Sequence, residues 1–296
     1  MADTNTFQGL YTAIVTPFDE QKNIDKDAYE KHLDYQIKGG VDGLVVAGTT
    51  GESPTFSDEE FTYLLETAKR KSDGKIQIIA GSGSNDTKKS IHRSQLAKDA
   101  GADGLLVVSP YYNKPTQDGL LMHYMTIADS VDLPIMVYNV PGRTSVNIEV
   151  DTLVKMSEHD NIASVKEASG SIGQIMNTIG SLPERVSVLG GDDGVTLPLV
   201  ALGGKGVVSV AANAAPGMMK DYVDAALSGD YDKARERHYT LLPLFQAGFL
   251  ESNPIPIKYA MYALGRMQNE LRLPLSALKA DNCKKMDRVL KELQLI

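Results

Sequence analysis

The chain is almost free of cysteine, since Cys283 is the single one in 296 residues. One cysteine cannot form an intramolecular disulfide, and a core of this size needs no such cross-link, so we expect a reducing compartment and a cytoplasmic location. Apolar runs of the roughly 20 residues that cross a bilayer are missing. The N-terminal stretch is MADTNTFQGL, without a basic start and an apolar run, so no secretory leader is expected.

Positive charge is also scarce. Thirty Lys and Arg residues stand against 38 Asp and Glu, which gives a formal net charge of −8 at pH 7. A negative surplus repels the phosphate backbone and anionic lipid, so neither nucleic acid nor a membrane is an expected partner. A small anionic substrate remains compatible with this charge, because local basic groups can receive it.

The common cofactor motifs are missing as well. The stretch GSGSND at 81–86 lacks the third glycine of the dinucleotide-binding fingerprint, and no GxxxxGK[ST] motif is present. The five histidines are scattered without ligand spacing. We therefore expect no cofactor and no metal site built by the protein.

What the chain does contain is a series of short apolar runs, separated by about 20–35 residues, the length of a βα unit. Their near-continuous apolar character indicates strands that are covered on both faces, as in a parallel sheet. The even spacing predicts a closed (β/α)8 TIM barrel, with an open doubly wound sheet as the alternative. The eight runs cover 11–18, 43–52, 76–83, 104–112, 134–142, 163–170, 186–193 and 206–213.

Amphipathic stretches of helical length lie between these runs. In the stretch 57–71, Ser57 and Glu60 form a capping-box pattern, and the basic residues 69–71 suit a helix C-terminus. Beyond residue 225 no strand run appears, which predicts a barrel domain at 1–225 and a C-terminal helical domain at 226–296. No low-complexity linker separates them, so we expect the extension to pack against the barrel.

Polar residues gather where the predicted strands end. Active sites of these barrels lie at the C-terminal ends of the strands, so side chains from several strands should meet there. Two glycine-rich loops, GGDDG and GGKGV, are expected after strands seven and eight. They serve either phosphate binding or tight turns, and tight turns are the simpler explanation. The polar groups are Thr49–Glu52, Tyr111–Asn113, Tyr138 with Asn139 and Arg143, Lys166 with Glu167, and Gly190–Asp193.

Lys166 lies in the middle of the sixth apolar run, where an unpaired ammonium is costly. One interpretation is a strand lysine whose long stem reaches solvent. In the other, alternation sends Lys166 and Glu167 to opposite faces, and the lysine points into the barrel. There a low polarity lowers its pKa and frees a neutral amine, which attacks a carbonyl to form a Schiff base. The polar rim favours this second interpretation.

Four nearby residues have roles that suit such a lysine. Tyr138 should stand on the adjacent strand, where a phenol can move protons during Schiff-base formation; otherwise it is a buried tyrosine with a hydrogen-bond partner. Thr49 and Thr50 offer hydroxyl and backbone donors to a small carboxylate, or simply form a turn. Arg143 follows a Pro-Gly pair, where a flexible loop can deliver a bidentate clamp for a second carboxylate; otherwise it is a solvated arginine.

Seven motifs recur in order along nearly the whole chain: GTTGE (48–52), SPYYNKP (109–115), YNVPGRT (138–144), SVKEASG (164–170), GGDD (190–193), GVVSV (206–210) and NPIPIK (253–258). Together they resemble the dihydrodipicolinate synthase family, pyruvate-dependent class I aldolases of lysine and diaminopimelate biosynthesis. GTTGE and the strand-six lysine are shared with N-acetylneuraminate lyase and the ketodeoxygluconate aldolases. SPYYNKP together with YNVPGRT is more specific to the synthases.

The resemblance implies roles for the catalytic residues. Lys166 matches the lysine that captures pyruvate as a Schiff base, and Tyr138 matches the proton donor and acceptor on the preceding strand. Thr49 and Tyr112 match the rest of a proton relay, in which the tyrosine reaches in from a neighbouring subunit. This role of Tyr112 requires at least a dimer; the family implies a homotetramer, and some of its members are dimers.

The resemblance also implies how substrates are held. Thr50 matches a residue that binds the pyruvate carboxylate, and the backbone around Gly191 and Val208 matches the floor of that pocket. Arg143 matches the arginine that receives the carboxylate of L-aspartate 4-semialdehyde. The implied reaction condenses the two substrates to 4-hydroxy-tetrahydrodipicolinate without a cofactor, because the lysine itself is the electron sink.

One departure from the family concerns regulation. Members that lysine inhibits carry an acidic residue where this chain has Lys89, within an aligned set that here comprises Asp58, Phe61, Asn85, Lys89 and Tyr111. Lys89 would repel the ammonium group of the inhibitor. Feedback inhibition by lysine is therefore expected to be weak or absent.

Three rival functions remain open at this stage. A sister aldolase acting on a sugar acid would use the same Lys166 and Tyr138 without needing Arg143. A barrel that only binds a small acid or phosphate as a sensor would tolerate Lys166→Arg. A phosphate-binding isomerase would need a carboxylate base at a strand end, and Glu167 serves only if the sixth strand faces the other way.

Overall fold

Eight parallel strands close into a barrel in the order of the sequence. The structure is a computed structural model that describes residues 7–296; residues 1–6, which belong to the predicted barrel domain and to the N-terminal stretch discussed above, lie outside the described residues. Pairing of β1 with both β2 and β8 closes the barrel, which confirms the predicted (β/α)8 fold over an open sheet. The strands are β1 Gly9–Ala13, β2 Gly43–Val46, β3 Gln77–Gly81, β4 Gly104–Val108, β5 Ile135–Asn139, β6 Ile162–Glu167, β7 Ser187–Gly190 and β8 Gly206–Ser209.

The apolar runs extend beyond the C-terminal ends of the observed strands. The second run continues to residue 52, but β2 stops at Val46 and Thr49–Gly51 forms a 3₁₀ turn. Ala47 and Gly48 continue the apolar run beyond the strand because these loop residues are buried as well. The expected place of GGKGV after the eighth strand is wrong, because β8 begins at Gly206 and the loop enters it from the opposite rim. There Gly203 has φ +107°, so the tight turn explains this glycine.

Two apolar layers hold the barrel. Side chains alternate along each strand, so in β4 Leu105 packs outward against the helices and Leu106 packs inside the barrel. Complete burial of such a side chain contributes about 1.5–3 kcal/mol. The inner layer fills the barrel beneath its C-terminal rim and is formed by Phe7, Tyr11, Ala13, Val45, Ile79, Leu106, Met136, Tyr138, Val140, Leu189 and Val208.

Helices surround the barrel and begin at recognisable caps. The predicted capping box is present: the Ser57 hydroxyl accepts from the Glu60 backbone N–H, and the Glu60 carboxylate accepts from the Ser57 N–H. The basic residues 69–71 lie in the last turn of that helix. The helices are α1 Lys26–Lys38, α2 Asp58–Ser72, α3 Thr87–Asp99, α4 Gln117–Ser130, α5 Pro141–Thr144, α6 Val150–Met156, α7 Ile172–Ser181, α8 Thr196–Ala201, α9 Pro216–Leu227, α10 Tyr231–Ala247, α11 Ile255–Ala263 and α12 Ala280–Glu292.

The C-terminal helices pack against the barrel, as the absence of a linker predicts. A buried ion pair joins Lys258 of α11 to Glu52 behind β2, with 2.6 Å between Nζ and Oε1. The backbone N–H of Arg272 donates to the other oxygen of Glu52 at 2.9 Å. The division at 225 and 226 stays a prediction. Within residues 7–296, every helix is too short or too polar to cross a membrane.

Candidate active site

Lys166 lies inside the barrel at the C-terminal end of β6. It pairs in register with Tyr138 of β5, and its side chain is 5% exposed. The amine sits over the ring of Tyr138, 4.2 Å from its centroid. Glu167 faces the helices instead, where its Oε2 accepts from Asn139 Nδ2 at 3.2 Å. The expected opposite orientation of the two side chains is therefore confirmed, and Glu167 is turned away from the position that the isomerase alternative requires.

The surroundings of Lys166 favour a neutral amine. Burial lowers the pKa of Lys166 to about 7; the negative charge of Asp193 opposes this effect, and the positive charge of Arg143 adds to it. Burial also raises the pKa of Tyr138 to about 12, with Arg143 opposing. At neutral pH the site thus holds a partly neutral amine beside a protonated phenol, which is the pairing that Schiff-base chemistry needs.

A small cavity of about 120 Å³ opens above Lys166 at this rim. This volume is well above the roughly 10–15 Å³ that a single water needs, so the cavity can receive a small organic acid. Its walls bring together six of the residues that the sequence singled out: Thr49, Thr50, Tyr138, Arg143, Lys166 and Gly191.

Gly191 makes room for the lysine. A Cβ built at this position would lie 2.7 Å from Ala168 Cβ and 3.0 Å from Lys166 Cε. Carbon atoms in contact normally stand 3.5–4.0 Å apart. The absence of a side chain at 191 therefore lets Lys166 occupy the cavity in its observed position.

Arg143 stands at the mouth of the same cavity. The segment that was expected to be a flexible loop is a helical turn: Pro141–Thr144 forms the single turn α5, and the proline suits its first position because its φ is fixed. The Arg143 side chain is exposed, and its Nη2 donates to the backbone carbonyl of Asn253 at 3.2 Å. Among residues 7–296 the guanidinium makes no other hydrogen bond, so its remaining donors are available to a carboxylate.

Two of the predicted site residues lie apart from the cavity walls. Tyr112 is 91% exposed and adopts φ +74°, so its side chain points away from the barrel of its own chain. Val208 is buried in the inner apolar layer with Leu189 and Leu106, below the cavity. Within one chain the relay predicted for Tyr112 is therefore not assembled.

The C-terminal extension supplies cavity residues that sequence reasoning assigned no role. Asn253 and Phe249 both line the cavity above Lys166. Asn253 is the first residue of the motif NPIPIK, which identified this segment as a family feature. The spacing of the motif does not indicate that the segment folds back over β2. The chemistry of this residue depends on a contact with Thr50, 203 positions away in the sequence.

Asp193 is a further residue to which sequence reasoning assigned no role. Its Oδ2 accepts from the backbone N–H groups of Val210 and Ala211 at 3.0 and 2.9 Å, and the residue is 2% exposed. Burial raises the pKa of Asp193 to about 6, although those hydrogen bonds oppose the shift. Ionised Asp193 in turn favours the protonated form of Lys166.

A wider cavity of about 630 Å³ adjoins the first and shares Thr49, Tyr138 and Arg143 with it. Its outer wall contains Asp58, Lys89 and Tyr111. Two further members of the set implied for lysine binding are placed differently. Phe61 is fully buried under Arg93, and Asn85 contributes a backbone carbonyl to Asn113.

A closed parallel barrel with a buried strand-six lysine over a tyrosine defines the class of Schiff-base aldolases. The comparisons with known proteins agree. The model of the dihydrodipicolinate synthetase family matches residues 6–293. The 4-hydroxy-tetrahydrodipicolinate synthase of Methanocaldococcus jannaschii is 47% identical over 291 residues, which cover 98% of this chain and 100% of the relative.

Solved structures give the same result. The dihydrodipicolinate synthase of Aquifex aeolicus matches with a TM-score of 0.95 at 46% identity, covering 98% of this chain and 99% of that one. The enzyme from Thermotoga maritima matches with a TM-score of 0.97 at 42% identity, covering 99% and 100%. The chain belongs to the dihydrodipicolinate synthetase family.

Proposed function

We propose that this enzyme condenses pyruvate with L-aspartate 4-semialdehyde to give 4-hydroxy-tetrahydrodipicolinate, a step of lysine and diaminopimelate biosynthesis. The observation that carries the proposal is the buried Lys166 amine over Tyr138, with Arg143 at the mouth of the same cavity. The first two residues supply aldolase chemistry, and the third supplies a receptor for a second carboxylate.

The first half of the reaction captures pyruvate. The neutral amine of Lys166 attacks the ketone carbon, and the carbinolamine loses water to leave an iminium. Tyr138 is placed to give a proton to the departing hydroxyl, because its raised pKa keeps the phenol protonated at neutral pH. Thr50 and the backbone at Gly191 hold the carboxylate of pyruvate.

The second half joins the two substrates. The iminium loses a methyl proton to give an enamine, whose carbon attacks the aldehyde of the semialdehyde, and the new alkoxide takes up a proton. The amine of the second substrate then displaces Lys166, which closes the ring and restores the free lysine. Arg143 holds the second carboxylate during these steps.

The proton relay requires more than one copy of the chain. We infer that Tyr112 of one copy reaches the Tyr138 and Thr49 of another, which makes the working form at least a dimer and, from the family resemblance, a homotetramer. The 91% exposure of Tyr112 supports this inference, since the side chain is free of its own barrel. A biosynthetic role and a lone cysteine support a cytoplasmic location.

Weak or absent inhibition by lysine also forms part of the proposal. Lys89 stands in the outer wall of the wider cavity beside Asp58 and Tyr111. An ammonium there opposes the ammonium groups of a lysine ligand.

The test of the function is a comparison of aldehyde acceptors. Condensation rates are measured with pyruvate and aspartate semialdehyde, N-acetylmannosamine or glyceraldehyde. We expect a clear preference for aspartate semialdehyde, and Arg143→Leu should lower that preference. A preference for a sugar would assign the chain to a sister activity. Absence of turnover with every acceptor would contradict the catalytic proposal.

A further inference from the structure

Asn253 links the two substrate subsites of the cavity. It lies just before α11, it is 6% exposed, and it lines the cavity above Lys166. Its side chain contacts Thr50, which binds pyruvate in the proposed function. Its backbone contacts Arg143, which binds the aldehyde substrate in the same proposal. The two contacts use different groups of the same residue, so substitution can separate them.

The side-chain contact sets the direction of a hydrogen bond. Asn253 Nδ2 donates to Thr50 Oγ1 at 2.9 Å. An amide nitrogen can only donate, so the Thr50 oxygen is the acceptor and its own hydrogen is left to donate elsewhere. The Thr50 hydroxyl has no other hydrogen bond with residues 7–296 in the structure, and Thr50 lines the cavity. A carboxylate bound there would accept that hydrogen.

The other side-chain oxygen supports this interpretation. Asn253 Oδ1 is buried and has no hydrogen-bond partner among the described residues. A buried amide with an unsatisfied carbonyl is unfavourable for stability. Its N–H group, by contrast, has a specific acceptor in the cavity wall. The residue is thus better explained by the donor it supplies to Thr50 than by the stability of the fold.

A buried ion pair also joins the two segments that carry Thr50 and Asn253. Glu52 follows Thr50 by two residues, Lys258 follows Asn253 by five, and the two form the 2.6 Å ion pair. The backbone N–H of Arg272 also binds Glu52. The loop behind β2 and the start of α11 are therefore fixed to each other, which keeps the Asn253–Thr50 geometry constant.

We propose that Asn253 is a positioning residue that directs the Thr50 hydroxyl at the carboxylate of pyruvate, while its backbone carbonyl orients Arg143 for the second substrate. This inference rests on the proposed function and extends it to the C-terminal extension. It predicts that uncharged replacements at 253 weaken the binding of pyruvate selectively, because the backbone carbonyl that holds Arg143 remains in every variant.

Two variants test the direction of the hydrogen bond. In Asn253→Asp the shape is kept, but the carboxylate accepts, so the Thr50 hydrogen turns to it and away from pyruvate. Losing a hydrogen bond to a charged group weakens pyruvate binding by roughly tenfold to a hundredfold. Asn253→Leu removes the donor without adding a charge, and a several-fold weakening is expected. Asn269→Asp is the matched control, because Asn269 lies in the same extension, has a buried carbonyl without a partner among the described residues and is absent from the cavity walls.

The measurement is borohydride trapping of pyruvate on Lys166 as a function of pyruvate concentration, without an aldehyde, followed by KM for aspartate semialdehyde at saturating pyruvate. We expect the half-saturating pyruvate concentration to rise in both Asn253 variants, the KM for the semialdehyde to stay within about twofold in the uncharged variant Asn253→Leu, and the control to match the wild type. Thermal unfolding of each variant accompanies the titration, so that a variant that fails to fold is replaced by the other.

Three results would overturn the inference. Unchanged pyruvate half-saturation in folded Asn253→Asp and Asn253→Leu would remove the directing role. Parallel losses for both substrates in folded Asn253→Leu would show a displaced segment rather than a directed hydroxyl. A wild-type enzyme that pyruvate and borohydride do not modify at Lys166 would overturn the proposed function itself, and with it this inference.

Discussion

Replacing Gly191 by alanine tests whether the position of Lys166 depends on the space beside it. The added methyl would lie 2.7 Å from Ala168 Cβ, 3.0 Å from Lys166 Cε and 3.2 Å from Lys166 Cγ. Each separation is about 0.3–1.3 Å below an ordinary carbon–carbon contact. The lysine chain must therefore move, and the amine at its end moves with it.

The expected losses follow from the sizes of these overlaps. Forcing one methyl into a packed region costs about 1–3 kcal/mol of unfolding free energy. Misplacing a reacting group by about 1 Å can lower a rate about a hundredfold. We expect Gly191→Ala to reduce kcat/KM for pyruvate by about tenfold to a hundredfold and to lower the unfolding free energy by about 1–2 kcal/mol.

The neighbouring glycine provides the control. A Cβ at Gly190 would find its nearest atoms at 3.7 Å, an ordinary contact, so Gly190→Ala should keep pyruvate kinetics near the wild type. Adding Ala168→Gly to Gly191→Ala removes the closest overlap and should restore stability more than rate, because the contact with the lysine remains. Unchanged borohydride trapping in Gly191→Ala, measured beside Gly190→Ala, would refute this explanation of Gly191.

Three further predictions concern charge. Because the pKa of Lys166 is lowered to about 7, the rate of Schiff-base formation should rise with pH through 7 and level off as the amine becomes neutral. Asp193→Asn removes the negative charge that opposes this lowering, so the rise should move to lower pH. A pH profile that does not move in this variant would contradict the prediction. Glu52→Gln leaves Lys258 buried without its partner and should lower the free energy of unfolding, measured in urea, by about 3–5 kcal/mol. The double variant Glu52→Gln with Lys258→Met should recover much of that loss. Equal losses in the single and double variants would contradict a coupled pair. Lys89→Glu should strengthen inhibition by lysine in the condensation assay, and strong inhibition of the wild type at sub-millimolar lysine would refute the weak-inhibition proposal.

The barrel could be predicted from the sequence because its signals are local. Each strand is a continuous apolar run, and regular spacing alone favours closure. The orientation of Lys166 also follows from a local rule, since strand alternation separates it from Glu167. The ends of the strands were harder to predict. Ala47 and Gly48 are buried like the residues of β2, so the apolar run does not show where the strand stops.

The rest of the site depends on contacts that spacing does not encode. Asn253 reaches Thr50 only because the C-terminal extension folds back over β2, and the ion pair between Glu52 and Lys258 joins residues 206 positions apart. The role of Gly191 is likewise steric and becomes visible only once the path of Lys166 is known. Family motifs located these residues, and the structure supplies the physical reasons for them.

The central claim is that Lys166 forms a Schiff base with pyruvate, and covalent trapping tests it most directly. The enzyme is incubated with pyruvate and borohydride and then digested, and the masses of its peptides are measured by mass spectrometry. The account predicts one reduced pyruvate adduct on the peptide that contains Lys166, dependent on pyruvate and absent from Lys166→Arg. An unmodified Lys166 peptide, or an adduct on another lysine, would contradict it.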